Sequence, residues 1–96
     1  NELPTEYALH PNSPNPFNPE TMIKYQIPEA GPVKLEIYNL MGQRIRTLVQ
    51  EVKKAGFYQA HWNGKIDTGQ SAASGVYFYR LEAGNFIAVK KMLLIQ

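Results

Sequence analysis

The chain is expected to fold as an all-β sandwich of about seven strands in two sheets. Three observations lead there. Short runs of β-formers alternate apolar and polar residues with the two-residue period of a half-buried strand. Seven glycines and seven prolines fall between those runs as regular punctuation. The 96 residues are 44% hydrophobic and 19% charged, the balance of one small folded domain rather than a disordered chain.

A short first strand is expected around Tyr7 to His10. Pro4, Pro11, Pro14, Pro16 and Pro19 keep the N-terminal quarter extended and out of any central ladder, because proline has no N–H to donate. Residues 1–20 are therefore read as a Pro-rich arm packed on the domain, and residues 21–96 as the sandwich itself, one domain overall. Thr21 to Ile27 turns Ile23, Tyr25 and Ile27 to one side and Lys24 and Gln26 to the other. Pro28 to Pro32 ends that run, and Val33 to Tyr38 repeats it with Val33, Leu35 and Ile37 inward. Two consecutive strands with matched faces and a short Gly/Pro turn read as an antiparallel hairpin.

Asn39 to Gly42 is the next turn, of the kind closed by a glycine bulge. The strand after it runs from about Arg44 to Val49 with Ile45 inward. Its parity breaks across Leu48 to Val52, which predicts a bulge or a bent edge strand. A helix over Gln43 to Lys54 is the competing reading, since Ile45, Leu48, Val49 and Val52 also sit at helical spacing. Phe57 to Trp62 resumes the strand pattern, with Tyr58, Ala60 and Trp62 on the apolar face and Gln59 and His61 opposite. Asn63 to Gly75 is the longest loop, Val76 to Glu82 is strongly β by composition, and Ala83 to Asn85 turns the chain into a last strand, Phe86 to Ile95.

Composition narrows function. No apolar run approaches the ~20 residues of a membrane helix. A formal charge of +2, with basic and acidic residues mixed, is too little to mark a nucleic-acid binder. Zero cysteines exclude disulfides and thiolate metal sites. Asp67 is the single aspartate, His10 and His61 are the two histidines, and Ser13, Ser71 and Ser74 the three serines. No acid–base or nucleophile pairing is visible among them, so neither catalysis nor a cofactor is expected. The chain starts at Asn1 without a signal peptide and reads as part of a longer polypeptide.

Each unusual motif has a plain structural reading beside a functional one. Pro14-Asn15-Pro16-Phe17-Asn18-Pro19 is a rigid extended arm whose Phe17 plugs a core edge, while Asn15 and Asn18 bond the neighbouring backbone. As a lid it closes the sandwich; as an SH3-type ligand it lacks a basic residue. Trp62, with Tyr58, Tyr77 or Tyr79, could stack on a sugar, but it shares a face with Tyr58 and Ala60 and reads as core. The last strand differs: both of its parities mix a lysine, Lys90 or Lys91, with large apolar residues. It is either covered on both sides as a central strand or packed on a neighbour, or it is a handle gripped by strand addition or hydrophobic contact.

Several motifs in order resemble a known family: Pro14 to Pro19 with Thr21, Tyr38-Asn39-Leu40-Met41-Gly42, Gly56 to Trp62-Asn63-Gly64, Ser74-Gly75-Val76-Tyr77-Phe78-Tyr79-Arg80-Leu81, and Lys91-Met92. Together they resemble the type A C-terminal sorting domain of the type IX, or Por, secretion system, and its relative in pattern, the immunoglobulin-like domain of the flagellar hook-capping protein. The resemblance implies an immunoglobulin-like sandwich at the end of a large exported protein, without chemistry of its own. It implies transit through the periplasm and delivery to the cell surface or medium. The implied partners are the outer-membrane translocon, a surface peptidase and the N-terminal passenger in the same chain. Apart from the resemblance, an uncovered terminal strand offers an open edge for a homodimer. By position, Gly75, Tyr77, Lys90, Lys91, Met92, Leu93 and Leu94 are the candidates for translocon recognition, although Gly75, like Gly42, is better explained as a turn glycine than as a contact. A cleavage site is implied near or before the Pro-rich arm. The alternatives are a carbohydrate-binding or attachment module and a structural spacer.

Overall fold

The computed structural model describes residues 2–96 and contains seven strands, with no helix among them. They are β1 (Ala8–Leu9), β2 (Thr21–Ile27), β3 (Gly31–Tyr38), β4 (Arg44–Lys53), β5 (Gly56–Trp62), β6 (Gly75–Ala83) and β7 (Phe86–Leu94). One sheet has the order β1-β2-β5 and the other β4-β3-β6-β7, all pairs antiparallel. The core lies between them. Ile23, Tyr25, Ile27 and Trp62 come from the first sheet, and Leu35, Ile37, Tyr79, Leu81, Met92 and Leu94 from the second. This is the two-layer β-sandwich expected from the alternation.

The expected hairpin between β2 and β3 does not form. β2 pairs with β5 over its whole length, Thr21 opposite Trp62 through Ile27 opposite Gly56, while β3 lies in the other sheet between β4 and β6. Residues 28–30 carry the chain from one sheet to the other. The inward sets Ile23/Tyr25/Ile27 and Val33/Leu35/Ile37 can bury each other face to face across a core as well as side by side, and a two-residue period does not distinguish the two.

β4 is one strand with two irregularities, not a helix. Leu48 and Ile45 have no partner on β3, because the register steps from Val49–Leu35 to Thr47–Glu36 and from Arg46–Ile37 to Arg44–Tyr38. Each bulge flips the parity, so Ile45, Leu48 and Val49 all reach the core edge. The bulged strand thus imitates a helical spacing. The β3–β4 turn closes as its residues predict. Asn39 Oδ1 accepts from the Met41 and Gln43 N–H groups at 2.9 and 3.0 Å, and Gly42 takes φ 82°. At the β6–β7 turn Gly84 takes φ 57° in a two-residue hairpin between Ala83 and Phe86.

The Pro-rich arm packs on the domain but bends rather than running straight, with bends over residues 14–16 and 18–19. Phe17 is buried against Trp62 with ring centroids 5.6 Å apart. Its backbone joins β7: Phe17 N–H donates to Leu93 O at 3.0 Å, and Ile95 N–H donates to Phe17 O at 2.9 Å. The Asn15 amide bonds not its neighbours but β7, where its Oδ1 accepts from Leu93 N–H at 3.0 Å. Beneath the arm, Thr21 Oγ1 donates to Pro14 O at 2.9 Å and accepts from Asn12 Nδ2 at 3.0 Å. That clasp was not read from the sequence, where Asn12 stands among other loop residues without a mark of its own.

Candidate functional site

The seven recognition candidates all lie on the β6–β7 hairpin, but their side chains divide between core and surface. Tyr77 is buried, edge-on to Trp62 at 5.6 Å, with its hydroxyl donating to Ala73 O at 2.6 Å. Met92 and Leu94 are also sealed in the core. These side chains hold the sandwich together and present nothing to a visitor. Gly75 opens β6 at φ 152°, and a Cβ there would meet no atom within 4 Å, so it serves the backbone and touches nothing. Lys90 is half-buried on the inner parity; Lys91 and Leu93 face out.

β7 is an edge strand, which settles its two-faced pattern. It is neither central nor covered on its outer face. Ile87 is 55% exposed, Val89 54% and Leu93 37%, with Lys91 among them. The neighbouring outward residues of β6 are Val76, Phe78, Arg80 and Glu82, each half-buried. An open depression of about 240 Å³ connects this stripe to the β3–β4 turn through Tyr38, Leu40, Phe78 and Val89. Leu40 and Met41 are strongly exposed at that turn. Ile87 and Val89 were not singled out by sequence, and Leu40 entered only as part of the Tyr38 to Gly42 turn motif. The outward parity of the last strand, Ile87-x-Val89-x-Lys91-x-Leu93, was the signal that could have found the first two.

Charge on this face is largely internal. Glu36 is buried although it points outward from β3, because Tyr38 donates to its Oε1 at 2.7 Å and Arg44 stands 3.5 Å from Oε2. The bond to Glu36 raises the Tyr38 pKa, since the neutral hydroxyl is the donor. Arg80 pairs with Glu82 at 3.2 Å. Among the described residues neither Lys90 nor Lys91 has an ion-pair partner.

The remaining polar residues stand apart. His10 Nε2 lies 3.3 Å from Gln26 Oε1, and His61 Nε2 lies 3.2 Å from Glu20 Oε1. Asp67 accepts from Thr47 N–H at 3.3 Å, docking the long loop on β4. Among the described residues no cluster of three or more histidines or carboxylates could hold a metal. Trp62 is fully buried, with its indole N–H on Lys65 O at 2.8 Å, and is core rather than a sugar platform. Tyr58 stacks on Tyr25 at 5.6 Å, which leaves Phe57 as the one strongly exposed aromatic ring among the described residues.

The fold recurs in solved structures. Latent PorU from Porphyromonas gingivalis, crystallised as a dimer, aligns with a TM-score of 0.73 at 17% identity, over 95% of this chain and 10% of that one. PorZ, a surface component of the type-IX secretion system of the same organism, aligns with a TM-score of 0.59 at 20% identity, over 94% of this chain and 11% of that one. The chain therefore spans about a tenth of the length of these structures. No curated protein sequence matches it. The sequence model of the FlgD Ig-like domain matches residues 18–85, from the end of the Pro-rich arm through β6 and its turn, leaving β7 outside the match. That match covers more than half of the chain, and the sandwich belongs to the FlgD Ig-like domain family.

Proposed function

We propose that this domain is a non-enzymatic sorting module of the type A, C-terminal kind, carried by an exported passenger and read at the outer membrane by the type IX machinery. It works as a shape with an accessible strand and uses no cofactor. The partners are the translocon and a surface peptidase, and the destination is the cell surface or medium after passage through the periplasm. The ordered motifs in the sequence support this reading. So does the likeness in fold to PorU and to PorZ, the latter described as a surface component of type-IX secretion.

The observation that carries it is β7. One face of that strand is core, while the other leaves Ile87, Val89, Lys91 and Leu93 open to solvent. Apolar side chains aligned along an open sheet edge form a surface of the kind another chain covers.

The test is a secretion assay. The domain is fused to a periplasmic reporter in a host with the pathway, beside a double variant, Lys91→Ala with Leu93→Ser, that alters only outward side chains. Surface delivery of the parent and a loss of about tenfold in the variant are expected, the size of one lost contact pair. Retention of the parent fusion in the periplasm contradicts the proposal.

A further inference from the structure

Backbone groups along β7 alternate between β6 and the open side. Leu93 shows which residues face out. Its C=O accepts from Phe17 N–H and its N–H donates to Asn15 Oδ1, both at 3.0 Å. Ile95 N–H turns the same way, to Phe17 O. By the two-residue period, Ile87, Val89 and Lys91 also direct N–H and C=O outward. Among the described residues nothing pairs with them.

This free stretch begins at the Gly84–Asn85 turn and ends where the arm takes over. It contains no proline, and its ladder to β6 runs without a shift from Ala83–Phe86 to Gly75–Leu94. The opposite edge of the sheet is guarded. β4 is bulged at Leu48 and Ile45, and the Asp67 loop bonds it through Asp67 N–H to Ile45 O at 2.9 Å. The edge strand of the other sheet, β5, sets Gln59 and His61 outward beside Phe57. A straight, unbulged edge with apolar side chains is a template for another strand.

We infer that Ile87–Lys91 is a strand-addition site. Its occupant is an extended segment of the secretion machinery with apolar side chains opposite Ile87 and Val89 and an acidic one opposite Lys91. The inference rests on the sorting reading. The acidic requirement follows from charge: β7 holds no carboxylate, Lys91 is unpaired, and Glu82 on the adjacent strand is taken by Arg80. Opposite charges facing across two strands attract, and like charges repel. A second copy of the chain fits less well. Antiparallel pairing centred on Val89 sets Lys91 against an isoleucine and leaves the charge uncompensated.

Val89→Pro deletes one outward N–H and no bond to β6, and an open edge accommodates proline. Val89→Thr keeps the N–H and the branched shape. Both are tested in the reporter fusion, with thermal unfolding confirming a cooperative transition. Val89→Pro is expected to cut surface delivery by about tenfold, and Val89→Thr to cut it much less. Lys91→Glu, an exposed change that leaves the core untouched, is expected to cut delivery more than Lys91→Ala, and keeps the test alive if the proline variant does not fold. Delivery of Val89→Pro at the parent level, while the Lys91→Ala/Leu93→Ser variant fails, overturns strand addition and leaves the sorting reading intact. Failure of the parent fusion overturns the sorting reading beneath it. Sedimentation showing a dimer of the purified domain that Val89→Pro dissociates assigns the edge to a second copy and overturns the inference.

Discussion

At the scale of single residues, Trp62 organises one end of the core. Phe17 and Tyr77 both pack on its ring at 5.6 Å, and its N–H is bonded to Lys65 O. Trp62→Ala is expected to lower stability by about 3–5 kcal/mol in chemical denaturation, as large buried aromatics do. A loss near zero would place the ring outside the core. Tyr25 supplies a pH signature. Burial, with Tyr58 and Glu51 adding to it, pushes its hydroxyl up to about 12. The unfolded chain releases that proton near pH ~10, so the folded state holds it longer. Stability from this group is complete below about pH 10 and falls as pH rises from there toward about 12. Burial of Tyr77 and Tyr79 acts in the same direction. Tyr25→Phe should therefore flatten the alkaline loss, read as the difference in urea midpoint between about pH 8 and about pH 11.

At the scale of elements, the arm and β7 act as one unit. Phe17 is inserted beneath it, Asn15 and Phe17 bond its edge, and Thr21 and Asn12 clasp the Pro14 carbonyl. Thr21→Val keeps the shape and removes the hydroxyl, losing the bond to Pro14 O and the bond from Asn12 Nδ2, while Asn12 Nδ2 still donates to Pro14 O at 3.2 Å. A loss of about 1–3 kcal/mol is expected. Phe17→Ala should cost more and open a path to the indole, measured as stronger acrylamide quenching of Trp62, the one tryptophan in the chain. An unchanged quenching constant would mean that the ring does not shield the core. Strands with clean alternation, such as Thr21–Ile27, were legible in the sequence because one face is buried and the other wet. The pairing of β2 was not, since the same inward residues satisfy a hairpin and a two-sheet arch equally. The β4 bulges appeared only as broken parity, because a bulge moves side chains without changing composition. On β7 the sequence marked the right strand but not the division of labour within it, as Tyr77, Met92 and Leu94 carry the core while Ile87 and Val89 carry the open face.

At the scale of the whole molecule, β7 is both a wall of the core and the proposed signal, and the two roles sit on opposite faces of one strand. Deleting residues 90–96 removes Met92 and Leu94, both fully buried, together with the Leu93 and Ile95 backbone groups that anchor the arm. Trp62 then loses the cover that Phe17 provides. A domain of this size has about 5–15 kcal/mol of stability in total, and losing two buried apolar side chains at about 2–5 kcal/mol each consumes most of it. The truncated chain is expected to show no cooperative thermal transition, with Trp62 emission shifted to the red. The Lys91→Ala/Leu93→Ser variant should unfold within a few degrees of the parent, since Lys91 is exposed and Leu93 lies on the outer face. A truncation that still melts cooperatively would show that the sandwich closes without its last strand. The tail would then be an appendage, and loss of secretion on its removal would report recognition alone rather than the loss of a fold.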